Sequence, residues 1–218
     1  FRRCDKAVIN ADDSYAGRIL GAADCPVLTT SVATEQGLYA KDLELQSEGI
    51  SFTAVCGNGV EFGIKIAAMG DEWFTAPSPM MEGKYTSAKY TIDDQIPWCG
   101  DSCVVECAGL GGLAAAASPI VCNLRGMKLK DAIAQTREME KICIKKNYNY
   151  PIPNLDFDFL PVGIDIRKVL QTGISPVIHG GMFNKEGGLI GAGMARIPLE
   201  CFEKAMAAFV EKYEKETV

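Results

Sequence analysis

The side chains best suited to chemistry are concentrated in residues 161–204, PVGIDIRKVLQTGISPVIHGGMFNKEGGLIGAGMARIPLECFEK. In this stretch, polar residues interrupt short apolar runs and glycines instead of following one solvated face, which is typical of a binding or catalytic site. The polar residues include Asp165, Arg167, Lys168, His179, Lys185, Glu186 and Arg196. His179 is the only histidine of the chain, and it could donate to a developing oxyanion or act as a general base.

A second group of candidates lies in the glycine-rich segment 100–118, GDSCVVECAGLGGLAAAAS, which we predict to be helical. Asp101 or Ser102 is expected to be its N-cap. Glu106 follows Ser102 by about one turn, so both could converge on a ligand, or Glu106 could be a buried contact that pins the helix. Glycines inside the segment predict either a break or another backbone passing close by.

The cysteines indicate a reduced protein. Nine cysteines are scattered over the chain without a CxxC pair, which favours free thiols in a cytoplasmic protein over a disulfide scaffold. Cys99, Cys103 and Cys107 repeat every four residues, but cysteine is among the most commonly buried residue types. We therefore expect no metal site and no cofactor.

The composition excludes several classes of partner. The 218 residues are 48% hydrophobic and 23% charged, as in ordinary globular proteins. The net charge of -6, without a basic tract, argues against nucleic acid and membrane surfaces as partners, so a small anionic substrate must be held by local groups. The sequence begins at Phe1 without a signal-peptide pattern, and we expect it to be a piece of a longer reading frame.

Periodicity predicts an α+β fold with a short fragment, 1–54, followed by a mixed helix-and-sheet domain, 55–218. The elements predicted in the fragment are strands at 7–10 and 26–30, a helix at 15–20, and a hairpin of 43–46 with 50–55.

The larger domain is predicted to begin with a hairpin, because residues 60–66 alternate with a period of two and precede a Gly-Asp turn. The further elements predicted are a strand at 73–77, a long loop after it, helices at 100–118 and 128–146, a connection at 147–159, a helix at 165–171, strands at 176–180 and 189–197, and a helix from 198.

FRRCDKAVINADDSYAGRIL followed by LELQSEGISFTAV resembles the late central domain of the Mur ligases, in particular the ligase that adds the third residue of the peptidoglycan stem peptide. Asn10, Asp12 and Asp13 fall on that family's Asn-x-Asp-Asp stretch. The phosphate loop ending in Gly-Lys-Thr and the Asp-Asn-Pro-Arg motif that this activity needs are missing from the sequence, so we expect no ligase activity.

A longer resemblance covers residues 55–218. WFTAP, GDSCVVECAGLGG, PVGIDIRKVLQTGISPVI and IGAGMARIPLECFEKAM resemble, in this order, the YlbE-like family, which includes the large subunit of the bacterial three-subunit oxamate carbamoyltransferase. His179-Gly180-Gly181 and Glu186-Gly187-Gly188 depart from the family's usual Asn-Thr-Gly and longer glycine loop. Two resemblances that meet near Ala54–Gly57 indicate either a junction between unrelated fragments, which we favour, or a chance match of a generic strand-helix-hairpin at the N-terminus.

The second resemblance implies a subunit of a carbamoyltransferase of purine or allantoin breakdown, which converts oxalurate and phosphate to oxamate and carbamoyl phosphate with the other subunits of the complex. Such a site must hold a phosphate dianion, polarise a carbonyl and exclude water. The candidate phosphate-binding groups are Arg167, Arg196, Lys185, Asp165, the Gly180-Gly181 turn and the Gly100-Asp101-Ser102 start.

Each candidate also has a structural interpretation. Asp165 and Arg167 could form a local ion pair at a helix start, a lone histidine is more often structural, and Lys185 could lie in a mobile surface turn. The chain could equally be a non-catalytic assembly subunit, in which the glycine-rich segment and the C-terminal helix are contact surfaces. A third alternative is an inactive Mur ligase fragment.

Overall fold

The computed structural model of the chain describes residues 7–10, 27–31, 38–39, 52–100 and 102–215. The chain divides into two compact units, Phe1–Gln46 and Ser47–Val218. Helices and antiparallel sheets both occur in the larger unit, which confirms the predicted α+β class.

The described part of the smaller unit is a parallel sheet. Its strands are β1 (Ala7–Asn10), β2 (Val27–Ser31) and β3 (Leu38–Tyr39), in that spatial order. The first two confirm strands predicted from short apolar runs. The predicted helix at 15–20 and the first strand of the predicted hairpin, at 43–46, lie outside the described residues.

The described part of the larger unit contains three antiparallel sheets, with strand orders β6-β5-β4-β8, β10-β9 and β11-β12-β7. Their strands are β4 (Phe52–Asn58), β5 (Glu61–Ile66), β6 (Phe74–Pro77), β7 (Glu82–Tyr85), β8 (Cys99–Gly100), β9 (Cys143–Ile152), β10 (Asp158–Ile164), β11 (Val177–Phe183) and β12 (Leu189–Arg196). The α-helices are α1 (Pro119–Leu124), α2 (Leu129–Glu140), α3 (Ile166–Thr172) and α4 (Leu199–Lys215). Short 3-10 helices occupy Ile92–Asp94, Ser102–Ala108, Ala115–Ala117 and Pro153–Leu155.

The core of the larger unit forms where α4 packs against β5 and β6. Phe62, Ile64 and Ile66 are buried on alternate positions of β5, as their spacing predicted, whereas Val60, assigned to the same face, is 75% exposed. On α4, Cys201 and Phe202 are fully buried in the same cluster. The predicted C-terminal helix thus closes the domain.

The predicted helix at 100–118 is wrong in part, because the segment forms two short 3-10 helices separated by glycine turns. Gly109 and Gly111 have φ values of 83° and 59°, which interrupt a right-handed helix. A Cβ at Gly109 would lie 2.4 Å from the carbonyl oxygen of Pro161. Both expectations for the glycines, a break and a close backbone, are therefore confirmed.

Two further predictions are corrected by strand pairing. The helix predicted at 128–146 ends at Glu140, because Cys143–Ile152 pairs with Asp158–Ile164 in a hairpin that includes most of the predicted connection. The loop predicted after 77 contains β7, which pairs with β12. In both cases a partner distant in sequence determines the local structure.

The strand β4 crosses the boundary predicted between residues 54 and 55, and it pairs with β5 and β8. In the part of the chain that the structure describes, no helix is both long and apolar enough to span a membrane.

Candidate functional site: a buried hydrogen-bonded ring beside a cleft

Glu106 lies at the centre of a buried polar cluster. It is on the 3-10 helix Ser102–Ala108 and is fully buried. Its Oε1 accepts hydrogen bonds from the backbone amides of Gly112 at 2.8 Å and His179 at 3.0 Å. One carboxyl oxygen therefore joins the 3-10 helix, the glycine turn and β11.

The glycine turn leaves the space that this carboxyl group occupies. A Cβ at Gly111 would lie 2.1 Å from Glu106 Oε1, and a Cβ at Gly112 would lie 1.9 Å from the carbonyl oxygen of Val177. Both distances are far shorter than any van der Waals contact, so side chains at these positions would displace the carboxyl group or the strand.

Gln135, on α2, closes the cluster into a ring. Its Nε2 donates to the carbonyl oxygen of Gly112 at 2.6 Å and lies 3.1 Å from His179 Nε2. The hydrogen-bonded ring thus runs from Glu106 to Gly112, Gln135 and His179 and returns to Glu106 through the amide of His179.

Burial shifts the pKa values of both ionisable groups in the ring in the direction that favours their uncharged forms. Desolvation raises the pKa of Glu106 to about 7, against the hydrogen bonds from Gly112 and His179, which favour the carboxylate. Desolvation, with a smaller contribution from the nearby positive charge of Arg125, lowers the pKa of His179 to about 4. His179 is therefore a neutral imidazole at neutral pH.

A cleft of about 690 Å³ lies between α2 and the β7-β12-β11 sheet, and this volume is in the range of small-molecule sites. Gln135 and Val177 line it, and Val177 lies on the same face of β11 as His179, two residues away. The other side chains on its wall include Met80, Met127, Met194, Glu82, Asp131, Glu138, Lys141 and Arg196. Gln135 thus belongs both to the cleft and to the ring.

Of the predicted residues, Arg196 lines the cleft. Its Nη1 donates to the carbonyl oxygen of Ser175 at 2.8 Å, and its Nη2 donates to Glu138 Oε2 at 2.6 Å. Half of its side chain remains exposed. An anion that binds this guanidinium would have to compete with the Glu138 carboxylate.

Arg167 and Asp165 form the ion pair given above as their structural interpretation. Asp165 is the N-cap of α3, accepts from the amide of Arg167 at 3.0 Å, and lies 2.9 Å from Arg167 Nη2. The Asp165 side chain is buried, whereas that of Arg167 is 46% exposed. Neither residue is among those that line the cleft.

The other predicted candidates are dispersed. Gly180 and Gly181 lie inside β11 and not in a turn, and a Cβ at Gly180 would lie 2.1 Å from the Trp98 ring. Lys185 is exposed in the connection between β11 and β12. Ser102 is exposed while Glu106 is buried, because a 3-10 helix has three residues per turn and residues four apart face different directions. Asp101 lies outside the described residues.

Sequence reasoning missed Gln135 and Arg125. A signal was present for Gln135, because it lies three residues after Ala132 and four before Met139, both fully buried on α2. A polar side chain on a buried helix face needs a partner. Arg125 carried no such pattern, although its Nε is buried without a hydrogen-bond partner among the described residues.

The seven described cysteines are free thiols. Burial raises the pKa values of Cys103, Cys107, Cys143 and Cys201 to about 12, so these thiols are protonated and poorly nucleophilic. Among the residues with a described position, no group of three or more His, Cys, Asp or Glu side chains could hold a metal ion.

The chain is similar to known proteins over part of its length. Residues 12–102 match the family model of oxamate carbamoyltransferase subunit AllG. The chain is also 39% identical, over 166 residues, to the oxamate carbamoyltransferase subunit AllG of Escherichia coli K12. This alignment covers 75% of the chain and 39% of AllG.

Two further proteins are similar to the chain over about three quarters of its length. The uncharacterized protein YahG of Escherichia coli K12 is 38% identical over 163 residues, which cover 74% of this chain and 34% of YahG. The crystal structure of a conserved protein of unknown function from Enterococcus faecalis V583 superposes with a TM-score of 0.71 at 41% identity, over 74% of this chain and 39% of that chain. The chain thus spans about two fifths of AllG and of the solved protein, and about a third of YahG.

The range of the family match bears on the predicted junction. It begins at residue 12 and extends across Ala54–Gly57, so it includes most of the segment that resembles a Mur ligase. The Mur ligase resemblance and the separate fragment 1–54 stay predictions.

Proposed function

We propose that the chain is part of a subunit of a cytoplasmic carbamoyltransferase that converts oxalurate and phosphate to oxamate and carbamoyl phosphate, as in purine or allantoin breakdown. The observation that carries this proposal is the 39% identity to subunit AllG. The other subunits of the complex are its partners. In this reaction a phosphate oxygen bonds to the terminal ureido carbon, the bond from that carbon to the oxamate nitrogen breaks, and the nitrogen takes up a proton.

The cleft beside α2 is the proposed substrate site. Its volume suits a small molecule, and Arg196 supplies a half-exposed guanidinium, which binds carboxylate or phosphate with charge-assisted hydrogen bonds. Glu106, His179 and Gln135 support one wall of the cleft through the ring. The three carboxylates on the wall make it unsuited to hold an anion by overall charge, so Arg196 and Lys141 must act locally.

The test is phosphate-dependent consumption of oxalurate by the natural protein assembled with its partner subunits. We expect Arg196→Ala to lower kcat/KM about 10- to 100-fold, the value of one or two hydrogen bonds to a charged group. Arg167→Ala is the matched control, because this arginine is exposed to a similar extent but lies on α3. Equal activity of Arg196→Ala and the natural protein would contradict the proposed site.

An assembly subunit without catalytic residues is the second candidate, and one observation favours it. Val104, Val105 and Leu110, in the glycine-rich segment, are 41–47% exposed although they are apolar. If this candidate is correct, changing these residues to Ser reduces complex formation, while changes in the cleft leave the activity of the assembled complex unaltered.

A further inference from the structure

The orientation of the Gln135 amide is determined by its contact with Gly112. The atom 2.6 Å from the Gly112 carbonyl oxygen must be the amide nitrogen, because an oxygen there would place two acceptors against each other. The position of this carbonyl is fixed in turn, since the amide of the same residue donates to Glu106. The same nitrogen, Nε2, therefore faces His179.

This orientation determines which imidazole nitrogen carries the proton. A glutamine Nε2 has two hydrogens and no acceptor capacity. One hydrogen is directed to Gly112, and the other is available for His179 Nε2 at 3.1 Å. His179 Nε2 must then be the unprotonated acceptor, and the proton of the neutral ring lies on Nδ1.

We propose that Gln135 is a positioning residue that holds His179 as the neutral tautomer protonated on Nδ1, so that Nε2 is not available to act as a general base. The consequence for catalysis rests on the proposed function, whereas the assignment of the tautomer does not. The lone pair that a general base would use is occupied by Gln135.

The electrostatic surroundings agree with a neutral ring. His179 is 8% exposed, and burial holds its pKa well below the usual range. An imidazolium would also place a hydrogen on Nε2 directly against the amide hydrogens of Gln135, and such a clash of two donors disfavours protonation.

The decisive experiment is 15N NMR of the protein labelled on histidine, with His179→Asn used to assign the ring signals. We expect a protonated Nδ1 and an unprotonated Nε2 at pH 7. Gln135→Leu should give a mixture of tautomers.

Gln95→Leu is the matched control. Gln95 is also a buried glutamine, and its Nε2 donates to the carbonyl oxygen of Met81 at 3.1 Å. Its replacement should lower stability and leave the imidazole spectrum unchanged. A natural protein protonated on Nε2, or an unchanged tautomer in Gln135→Leu, would overturn the proposal.

The spectrum of the natural protein is decisive even where a Gln135 variant fails to fold. Because the NMR readout needs no substrate, absence of carbamoyl transfer together with the expected tautomer would count against the proposed function alone.

Discussion

At the scale of single residues, the pKa values of Glu106 and His179 are shifted in opposite directions. Glu106 keeps its proton to higher pH in the folded protein than in the unfolded chain, and His179 loses its proton at lower pH. Their contributions to the pH dependence of stability therefore have opposite signs and partly cancel in the natural protein.

Single substitutions should separate these two contributions. Between pH 4.5 and about 7 the unfolded chain releases the Glu106 proton while the folded protein retains it, so this group makes the protein less stable as pH rises. Glu106→Gln removes that loss. The free energy of unfolding of the variant minus that of the natural protein should therefore increase as pH rises through this window, by about 1.4 kcal/mol per unit of pKa shift.

For His179 the sign is reversed. Between pH 6.5 and about 4 the unfolded chain takes up a proton that the folded protein does not, so this group makes the protein less stable as pH falls. His179→Asn should remove that loss. Urea unfolding between pH 4 and 8 measures both differences, and a difference independent of pH would show that the group has an ordinary pKa in the folded protein.

The glycine turn gives a second prediction at this scale. Gly111→Ala combines a left-handed backbone, φ 59°, with a Cβ 2.1 Å from Glu106 Oε1. Gly126→Ala is the control, because φ is 81° but nothing lies within 4 Å of the added Cβ. We expect Gly126→Ala to cost about 1–2 kcal/mol of unfolding free energy from backbone strain alone, and Gly111→Ala to cost clearly more. Equal losses in thermal or urea unfolding would contradict the tight fit around Glu106.

At the scale of elements, α2 connects the ring to the cleft. Gln135 and Glu138 lie on neighbouring positions of one helix face, and Glu138 holds Arg196 in the free protein. An anionic substrate must displace Glu138 from the guanidinium. The ion pair is therefore expected to weaken binding.

Glu138→Gln should consequently lower KM for oxalurate or phosphate several-fold without raising kcat, because it frees Arg196 in the unbound protein. Glu140→Gln is the matched control on the same helix, where the carboxylate contacts Arg137 and Lys146 and does not line the cleft. Steady-state kinetics of the assembled enzyme measure the difference. An increase in KM for Glu138→Gln would indicate that this carboxylate contacts the substrate directly.

The start of α3 tests the role of Arg167. Because Asp165 is buried, Arg167→Ala leaves a carboxylate with fewer charge-assisted hydrogen bonds, and we expect a loss of about 1–3 kcal/mol in unfolding free energy. Asp165→Asn should lose less, and the double variant should show coupling between the two positions. Catalysis should be unaffected, so a loss of activity without a loss of stability would return Arg167 to the site.

Elements that are determined by residues close in sequence were predictable from the sequence. The alternation around Phe62 and Ile64, the Asp165 N-cap and the apolar spacing of α4 each depend on residues near in sequence. The strand β9 was not predictable in this way. The helix-like periodicity continues to Lys146, but the residues from Cys143 onward form a strand because they pair with β10. The same holds for the site: Glu106 and His179 could be nominated by type, but the ring depends on Gln135, which meets them only in the fold.

At the scale of the whole molecule, the two arginines predicted to share a phosphate site lie apart, and one of them lines the cleft. Arg196 lines it, His179 lies behind its wall, and Arg167 is engaged at the start of α3. The family match extends across Ala54–Gly57, so residues 12–54 resemble subunit AllG as residues 55–102 do. A relative such as AllG is more than twice the length that this chain covers, which makes the assembled natural protein the right subject for activity measurements.

The most direct test of the central claim is methionine-methyl NMR of the natural protein titrated with oxamate and phosphate. Three of the eight methionines, Met80, Met127 and Met194, line the cleft, whereas Met69 and Met206 serve as internal controls. We predict saturable shifts of the cleft methyl groups that are lost in Arg196→Ala. Shifts confined to the control methyl groups, or no shifts at concentrations that support carbamoyl transfer, would contradict the assignment of the cleft as the substrate site.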